Sequence, residues 1–276
     1  PMTRNLKNKK SERFDFGRNW ASYLSLVDRS RVGQAEESLR VMLALDNLQG
    51  LLFLDIGCGS GLFSLAARNL GATVISFDYD AESVACTQKL KNEFHPEDHK
   101  WIIHQGSVLD DSFMKQLPCG DIVYSWGVLH HTGDMWKAIQ AACDKVNPHG
   151  KLFLSIYNRL SDRRHKAICK MKLGYVKAGS IQRKLIVLQH GARYVVAEML
   201  SSMLQGRHPW ATISAYNGDS RGMSFWHDIV DWIGGYPYEA ARPEEVFYAC
   251  IRNGLRLEKL STNQGHGCNQ FVFWKE

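Results

Sequence analysis

The chemistry this sequence can do is concentrated in a run of seven residues, Asp55-Ile56-Gly57-Cys58-Gly59-Ser60-Gly61, and in a pair of adjacent histidines, His130 and His131. The glycine run follows an apolar segment, LLFLDIG, and precedes a helix-like one, so the backbone at Gly57, Gly59 and Gly61 can bend closely around a ligand where side chains would block the approach. The spacing is D-x-G-x-G-x-G. It differs from the G-x-G-x-x-G turn that seats a pyrophosphate on a helix N-terminus, and it opens with a carboxylate, a poor neighbour for phosphate and a good one for the amino group of an amino acid. Asp78 stands 23 residues after Asp55, at the end of a second apolar run, where its carboxylate can accept hydrogen bonds from both hydroxyls of a ribose; its other reading is a helix cap. At the end of the third run, Ser107 and Val108 can offer a hydroxyl and a backbone N–H to a purine edge, or Ser107 can be an ordinary turn residue.

The histidines close the fourth run, Ser125-Trp126-Gly127-Val128-Leu129-His130-His131, which sets an indole and two imidazoles on the same side of the molecule. An imidazole titrates near neutrality and can take a proton from a hydroxyl, a phenol or an ammonium. Adjacent histidines rarely face the same way, so one is expected to act as a base and the other to pack or orient. No metal is expected: His131 and Asp134 lack a third ligand at suitable spacing.

These residues need elements to hold them. Apolar runs ending in the groups above alternate with amphipathic stretches (GLFSLAARNLG, AESVACTQKLKNEF, MWKAIQAACDKV), and KLFLSIYN supplies a fifth strand after a turn at NPHG. The alternation predicts a doubly wound α/β sheet with its ligand at the carboxyl ends of the strands. Two amphipathic stretches, 13–28 and 34–48, come before the first strand as a helical cap (1–49). The core spans 50–158 and 243–276, where a helix beginning near Pro243 is followed by two strands in a hairpin. Between them, 159–242 is too long for a structureless loop and is expected to be a mostly helical insertion, serving as a substrate lid or an interaction subdomain.

The order LFLDIGCGSG, SFD, GSVLD, DIVYSWGVLHH resembles the class I S-adenosylmethionine-dependent methyltransferase superfamily, over roughly residues 50–158 and 243–275, and is nearest in flavour to the ubiquinone-biosynthesis-like small-molecule enzymes. The resemblance implies a Rossmann-like seven-stranded sheet with an antiparallel last strand and S-adenosylmethionine as cofactor, S-adenosylhomocysteine being the product. Asp55, Gly57, Cys58, Gly59, Gly61, Asp78, Tyr79, Ser107, Val108 and Trp126 are then its binding residues, with Ser107 standing where many relatives carry aspartate. The first helices resemble a cap that closes over the cofactor, which makes Phe16, Asn19, Trp20 and Tyr23 lid residues, or else core packing. Trp20, Tyr157, Asn158, Tyr216, Arg221 and Trp226 are the expected acceptor contacts, and Asn217, Met223 and Trp232 add further groups suited to covering a small molecule.

Charge narrows the acceptor. The 276 residues carry a net +6, yet residues 159–207 hold eleven Lys or Arg against Asp162 and Glu198, about +9, so the remainder is near −3. That segment suits an anionic small molecule, a peripheral membrane contact or a solvated face. Nucleic acid is not favoured, because the Asn/Asp-Pro-Pro-aromatic motif of amine methylation on bases is absent after DIVYS. Methylation of RNA or of a lipid-linked saccharide is the first alternative reading, and a non-catalytic cofactor-binding regulator the second. Seven scattered cysteines without a CxxC pair read as reduced thiols. No apolar run reaches membrane-span length and the polar start resembles no secretory signal, so a cytoplasmic protein is expected.

Overall fold

The computed structural model describes residues 13–14, 16–24, 27–206, 225–265 and 267–276. Helix α1 (Phe16–Leu24) and helix α2 (Arg29–Leu43) precede strand β1 (Leu52–Ile56). The α/β alternation follows: α3 (Leu62–Asn69), β2 (Thr73–Asp78), α4 (Ala81–Phe94), β3 (Trp101–Gln105), α5 (Asp111–Gln116), β4 (Gly120–Trp126), α6 (Met135–Asp144) and β5 (Val146–Tyr157). After β5 come helices α7 (Asp162–Lys177), α8 (Ser180–Leu204) and α9 (Phe225–Gly234), then α10 (Pro243–Arg252), β6 (Leu255–Ser261) and β7 (Cys268–Lys275).

The strands form one seven-stranded sheet in the order β3-β2-β1-β4-β5-β7-β6, with β7 antiparallel to both its neighbours. The order reverses between β1 and β4, and this switch point opens a crevice at the carboxyl ends of the strands. Both faces of the sheet are covered. Leu39 and Leu43 of α2 and Leu65, Ala66 and Ala67 of α3 bury one face with Phe53 and Val74; Ala138, Ile139 and Ala142 of α6 and Val246 of α10 bury the other with Leu54, Leu152 and Phe271.

Local chemistry moves several boundaries from their sequence-based positions. The second helix begins at Arg29 because the Asp28 carboxylate accepts from the Arg31 N–H at 2.9 Å, and it ends where Ala44 turns left-handed at φ 52°. Helix α5, not expected from the sequence, is a short element nucleated by Asp110, whose side chain accepts from the N–H groups of Ser112 and Phe113. The expected NPHG turn is instead an irregularity inside β5: pairing with β4 jumps from Gly120–Val146 to Ile122–Lys151, with His149 at φ 63° absorbing the extra residues.

Candidate functional site

The glycine loop is held from below by the sheet. Gly57 N and Cys58 N both donate to the Phe77 carbonyl, at 2.8 and 3.1 Å, which prolongs the β1–β2 pairing past the strand ends. From α4, Thr87 Oγ1 donates to the Gly59 carbonyl at 3.2 Å. Gly57 and Gly59 have φ of 82° and 54°, a region costly for other residues. A Cβ on Gly57 would lie 2.3 Å from Val128 Cγ1, and one on Gly59 would lie 3.0 Å from the Trp20 indole nitrogen, so strand β4's exit and the first helix both close on this loop.

Two carboxylates flank it. Asp55 is 2% exposed and accepts from the Ser64 hydroxyl; Ser64 bonds Ser76, which in turn accepts from the Trp101 indole at 2.9 Å. Burial pushes Asp55 up to about 7, against the Ser64 hydrogen bond and with help from the charge of Asp78. Asp78 accepts from Gly59 N at 3.0 Å through one oxygen and from Asp80 N at 2.9 Å through the other. Burial raises it to about 6 even with those donors in place. Neither carboxylate has a cationic side chain as an ion-pair partner among the described residues.

A cleft of about 2560 Å³ runs from this loop across the strand ends to the insertion. Asp55, Gly57, Cys58, Gly59, Asp78, Tyr79, Ser107, Val108 and Trp126 line it, as do Trp20 and Phe16 of α1 and Tyr157 of β5. Gly61 lies behind the lining, at the N-cap of α3. Ser107 plays a turn role: its Oγ accepts from Leu109 N at 3.2 Å, while Val108 is buried in the core beside Phe77. Tyr79 lies under the Arg13 guanidinium, 4.8 Å from the ring centroid.

The two histidines do face different ways. His130 is fully buried and absent from the lining; its Nδ1 accepts from Tyr157 N at 3.3 Å, so the proton sits on Nε2, which finds no partner among the described residues. His131 lines the cleft. Its Nδ1 lies 2.6 Å from the Pro237 carbonyl and must donate to it, which leaves the lone pair on Nε2. Burial above all, then the positive charge of Lys172, lowers His131 to about 3, the Pro237 carbonyl working in the opposite direction.

Other expected contacts fall elsewhere. Asn158 is not in the lining: its Nδ2 donates to the carbonyls of Asn263 and Gly265 at 2.7 and 3.2 Å, so it holds the β6–β7 turn against the start of the insertion. Tyr216, Asn217, Arg221 and Met223 lie outside the described residues, as do the side chains of Asn19 and Trp226. Tyr23 is core packing, 1% exposed at the edge of the cleft.

The structure adds residues that sequence reasoning passed over. Lys172 counted only toward the basic segment, yet it is fully buried, donates to the Trp232 carbonyl, and has its ammonium 5.7, 5.3 and 4.9 Å from the ring centroids of Tyr157, Trp232 and Tyr238. A signal for it existed: Ile168, Lys172, Tyr175 and Val176 share one helical face. Arg13 Nη2 donates to the carbonyls of His131 and Thr132 at 3.0 and 2.8 Å, tying the amino-terminal segment to the histidine turn. Arg164, His190 and Arg193 line the insertion side of the cleft.

A D-x-G-x-G-x-G loop between β1 and α3, a carboxylate at the tip of β2 and a sheet with a reversed β7 are thus found together. A family model for a methyltransferase domain matches residues 29–205, more than half of the chain. The chain belongs to the class I S-adenosylmethionine-dependent methyltransferase family. Among curated relatives, it is 31% identical over 112 residues to the mitochondrial ubiquinone biosynthesis O-methyltransferase of Rattus norvegicus, covering 41% of this chain and 32% of that protein. It is 30% identical over 119 residues to the ubiquinone biosynthesis O-methyltransferase of Actinobacillus pleuropneumoniae, covering 41% of this chain and 49% of that one. The chain thus spans less than half the length of these relatives. Solved structures share the fold: the magnesium protoporphyrin IX methyltransferase of Synechocystis PCC 6803 with bound S-adenosylhomocysteine has a TM-score of 0.52 at 14% identity, covering 89% of this chain and 83% of that one. An O-methyltransferase family protein of Burkholderia thailandensis has a TM-score of 0.54 at 11% identity, over 89% of this chain and 57% of that one.

The donor set fits the family's cofactor. Two carboxylates of raised pKa, one buried and one half-buried, without a cationic ion-pair partner among the described residues, suit a ligand that brings an ammonium, a sulfonium and a diol, whereas a pyrophosphate would set further negative charge against them.

Proposed function

We propose that this protein transfers a methyl group from S-adenosylmethionine to a small-molecule acceptor, at oxygen or nitrogen in preference to carbon. The observation that carries this reading is that one cleft joins the Asp55–Asp78 cradle to His131 and the Tyr157 ring. Its volume exceeds the roughly 300–1,000 Å³ of a single-ligand pocket, leaving room for cofactor and acceptor side by side. When bound, the cofactor supplies an electrophilic methyl on a sulfonium. Asp55 and the loop of Gly57, Cys58 and Gly59 bind its amino-acid half, Asp78 the ribose, and Ser107 with Val108 the adenine; Tyr79, Trp126 and Trp20 wall it off from water.

The chain's own groups then act on the acceptor. Tyr157, with Trp232 and Tyr238 beyond it, offers aromatic faces; Arg164 and Arg193 on the insertion side suit a carboxylate or phosphate. In-line placement supplies much of the rate. As a hydroxyl oxygen attacks, it becomes strongly acidic, and its proton passes to the Nε2 lone pair of His131. A base lowered to about 3 takes a proton from an oxygen in that state far more readily than from an alkylammonium, so among the acceptor atoms His131 favours oxygen. The names of the ubiquinone O-methyltransferase relatives agree with that preference. Incubation with methyl-labelled cofactor and matched panels of hydroxylated and amino-substituted aromatic acids tests the reading. Label in the hydroxylated panel, reduced in His131→Ala, is expected; label only in the amine panel would refute the assignment of oxygen and of His131.

A further inference from the structure

Helix α8 is 25 residues long, about 37 Å, and carries an apolar stripe that stands more than half exposed. Ile181, Leu185, Leu188, Val196, Leu200 and Met203 are 55–77% exposed, and Ala192 bridges the gap between Leu188 and Val196. The steps of four, three, four, four, four and three residues keep all seven on one side of the helix. Six of the fifteen exposed large hydrophobic residues of the described chain lie on this one face. Such a concentration on one face marks an interaction surface rather than scatter.

Charge says what fits it. Within residues 159–206 there are ten Lys or Arg and only two acids, and Asp162 is already paired with Arg159 at 2.7 Å. Arg163, Lys166, Lys170 and Lys177 of α7 and Lys184 of α8 are exposed. A second copy docking through the same face would bring two strongly positive surfaces together, because a two-fold contact pairs each patch with itself. An anionic lipid surface accepts both features at once: the stripe enters the headgroup boundary while the basic groups meet phosphates.

We propose that α8 is an interfacial helix that seats this protein on an anionic membrane surface. The seating has a directional consequence. His190 and Tyr194, on another side of the helix, line the cleft, so the bound helix would set the insertion side of the cleft beside the lipid. The proposal stands apart from the identity of the acceptor and from the role of His131.

The test is vesicle flotation of the full chain with phosphatidylcholine vesicles and with phosphatidylcholine vesicles containing phosphatidylglycerol. Wild type should float with the second and not the first, and should be released by high salt. Leu188→Ser with Leu200→Ser, which removes apolar area without adding charge, should lower the bound fraction by about tenfold while circular dichroism and S-adenosylhomocysteine binding stay as in wild type. Lys177→Gln with Lys184→Gln should weaken flotation in the same direction. Equal flotation of the serine variant would remove the stripe from the account. A wild type that ignores both vesicle types, but sediments as a dimer that the serine variant dissolves, would assign the face to a second copy and overturn the proposal.

Discussion

His131 Nδ1 and the carbonyl oxygen of Pro237 lie 2.6 Å apart, across 106 residues of chain. The contact fixes which imidazole nitrogen carries the proton, so the end of the 159–242 segment orients a histidine on the core. His131→Ala should reduce kcat by roughly 10²–10⁴-fold, the usual range for a positioned base, with S-adenosylhomocysteine affinity unchanged. Because His131 is held neutral down to about pH 3, no loss of kcat attributable to it should appear between pH 8 and 5 at saturating cofactor. A single-turnover pH profile checks both expectations.

Cofactor binding, by contrast, should depend on pH. Asp55 and Asp78 are raised to about 7 and about 6, and a cationic ligand favours their ionised forms. Below those values the ligand must displace protons, so affinity should fall as pH drops from 8 toward 5 and level off above 8, by about 1.4 kcal/mol per pH unit for each protonated carboxylate. Calorimetry in buffers of different ionisation enthalpy should show proton release. Stability of the ligand-free protein runs the other way. Its native state holds protons that the unfolded chain, with an Asp value near 3.9, has already lost, so stability should fall as pH rises from about 4 to 7. Asp55→Asn should flatten that slope in a melting series.

Lys172 should act on His131 from behind the aromatic wall. Its positive charge is among the causes that keep the imidazole neutral, so Lys172→Met should raise the His131 pKa and Lys172→Arg should leave it nearly in place. Titration of the His131 ring protons by NMR reads this directly. A purely structural lysine would change the melting temperature in both variants without moving that titration.

Gly57→Ala should abolish cofactor binding and cost about 1–3 kcal/mol of stability, since φ is 82° and the new Cβ would meet Val128. Asn158→Ala should separate the other way. Loss of its bonds to Asn263 and Gly265 should cost about 1–3 kcal/mol in denaturant unfolding, with the KM for the acceptor unchanged.

What was legible in the sequence is what is local. Asp55, the glycines and Asp78 stand at strand ends that hydrophobic runs announce, and their spacing already differs from that of a phosphate turn. The reversed β7 came with the family resemblance, and the β6–β7 hairpin could be read from two apolar runs around NQGHG. What was not legible depends on partners distant in sequence. Lys172 looks like one cation among eleven until Tyr157, Trp232 and Tyr238 gather around it. Asn158 looks like a strand-tip contact until the β6–β7 turn takes up its amide. His130 and His131 look equivalent until Tyr157 N and Pro237 O assign them opposite protonated nitrogens.

The cofactor cradle is the central claim, and calorimetric titration with S-adenosylhomocysteine tests it most directly, run beside Asp78→Ala and with NAD as control. The account predicts one saturable site in the wild type, weakened at least tenfold in Asp78→Ala, and no heat of binding with NAD. A folded wild type that leaves S-adenosylhomocysteine unbound, or that binds NAD instead, would contradict it.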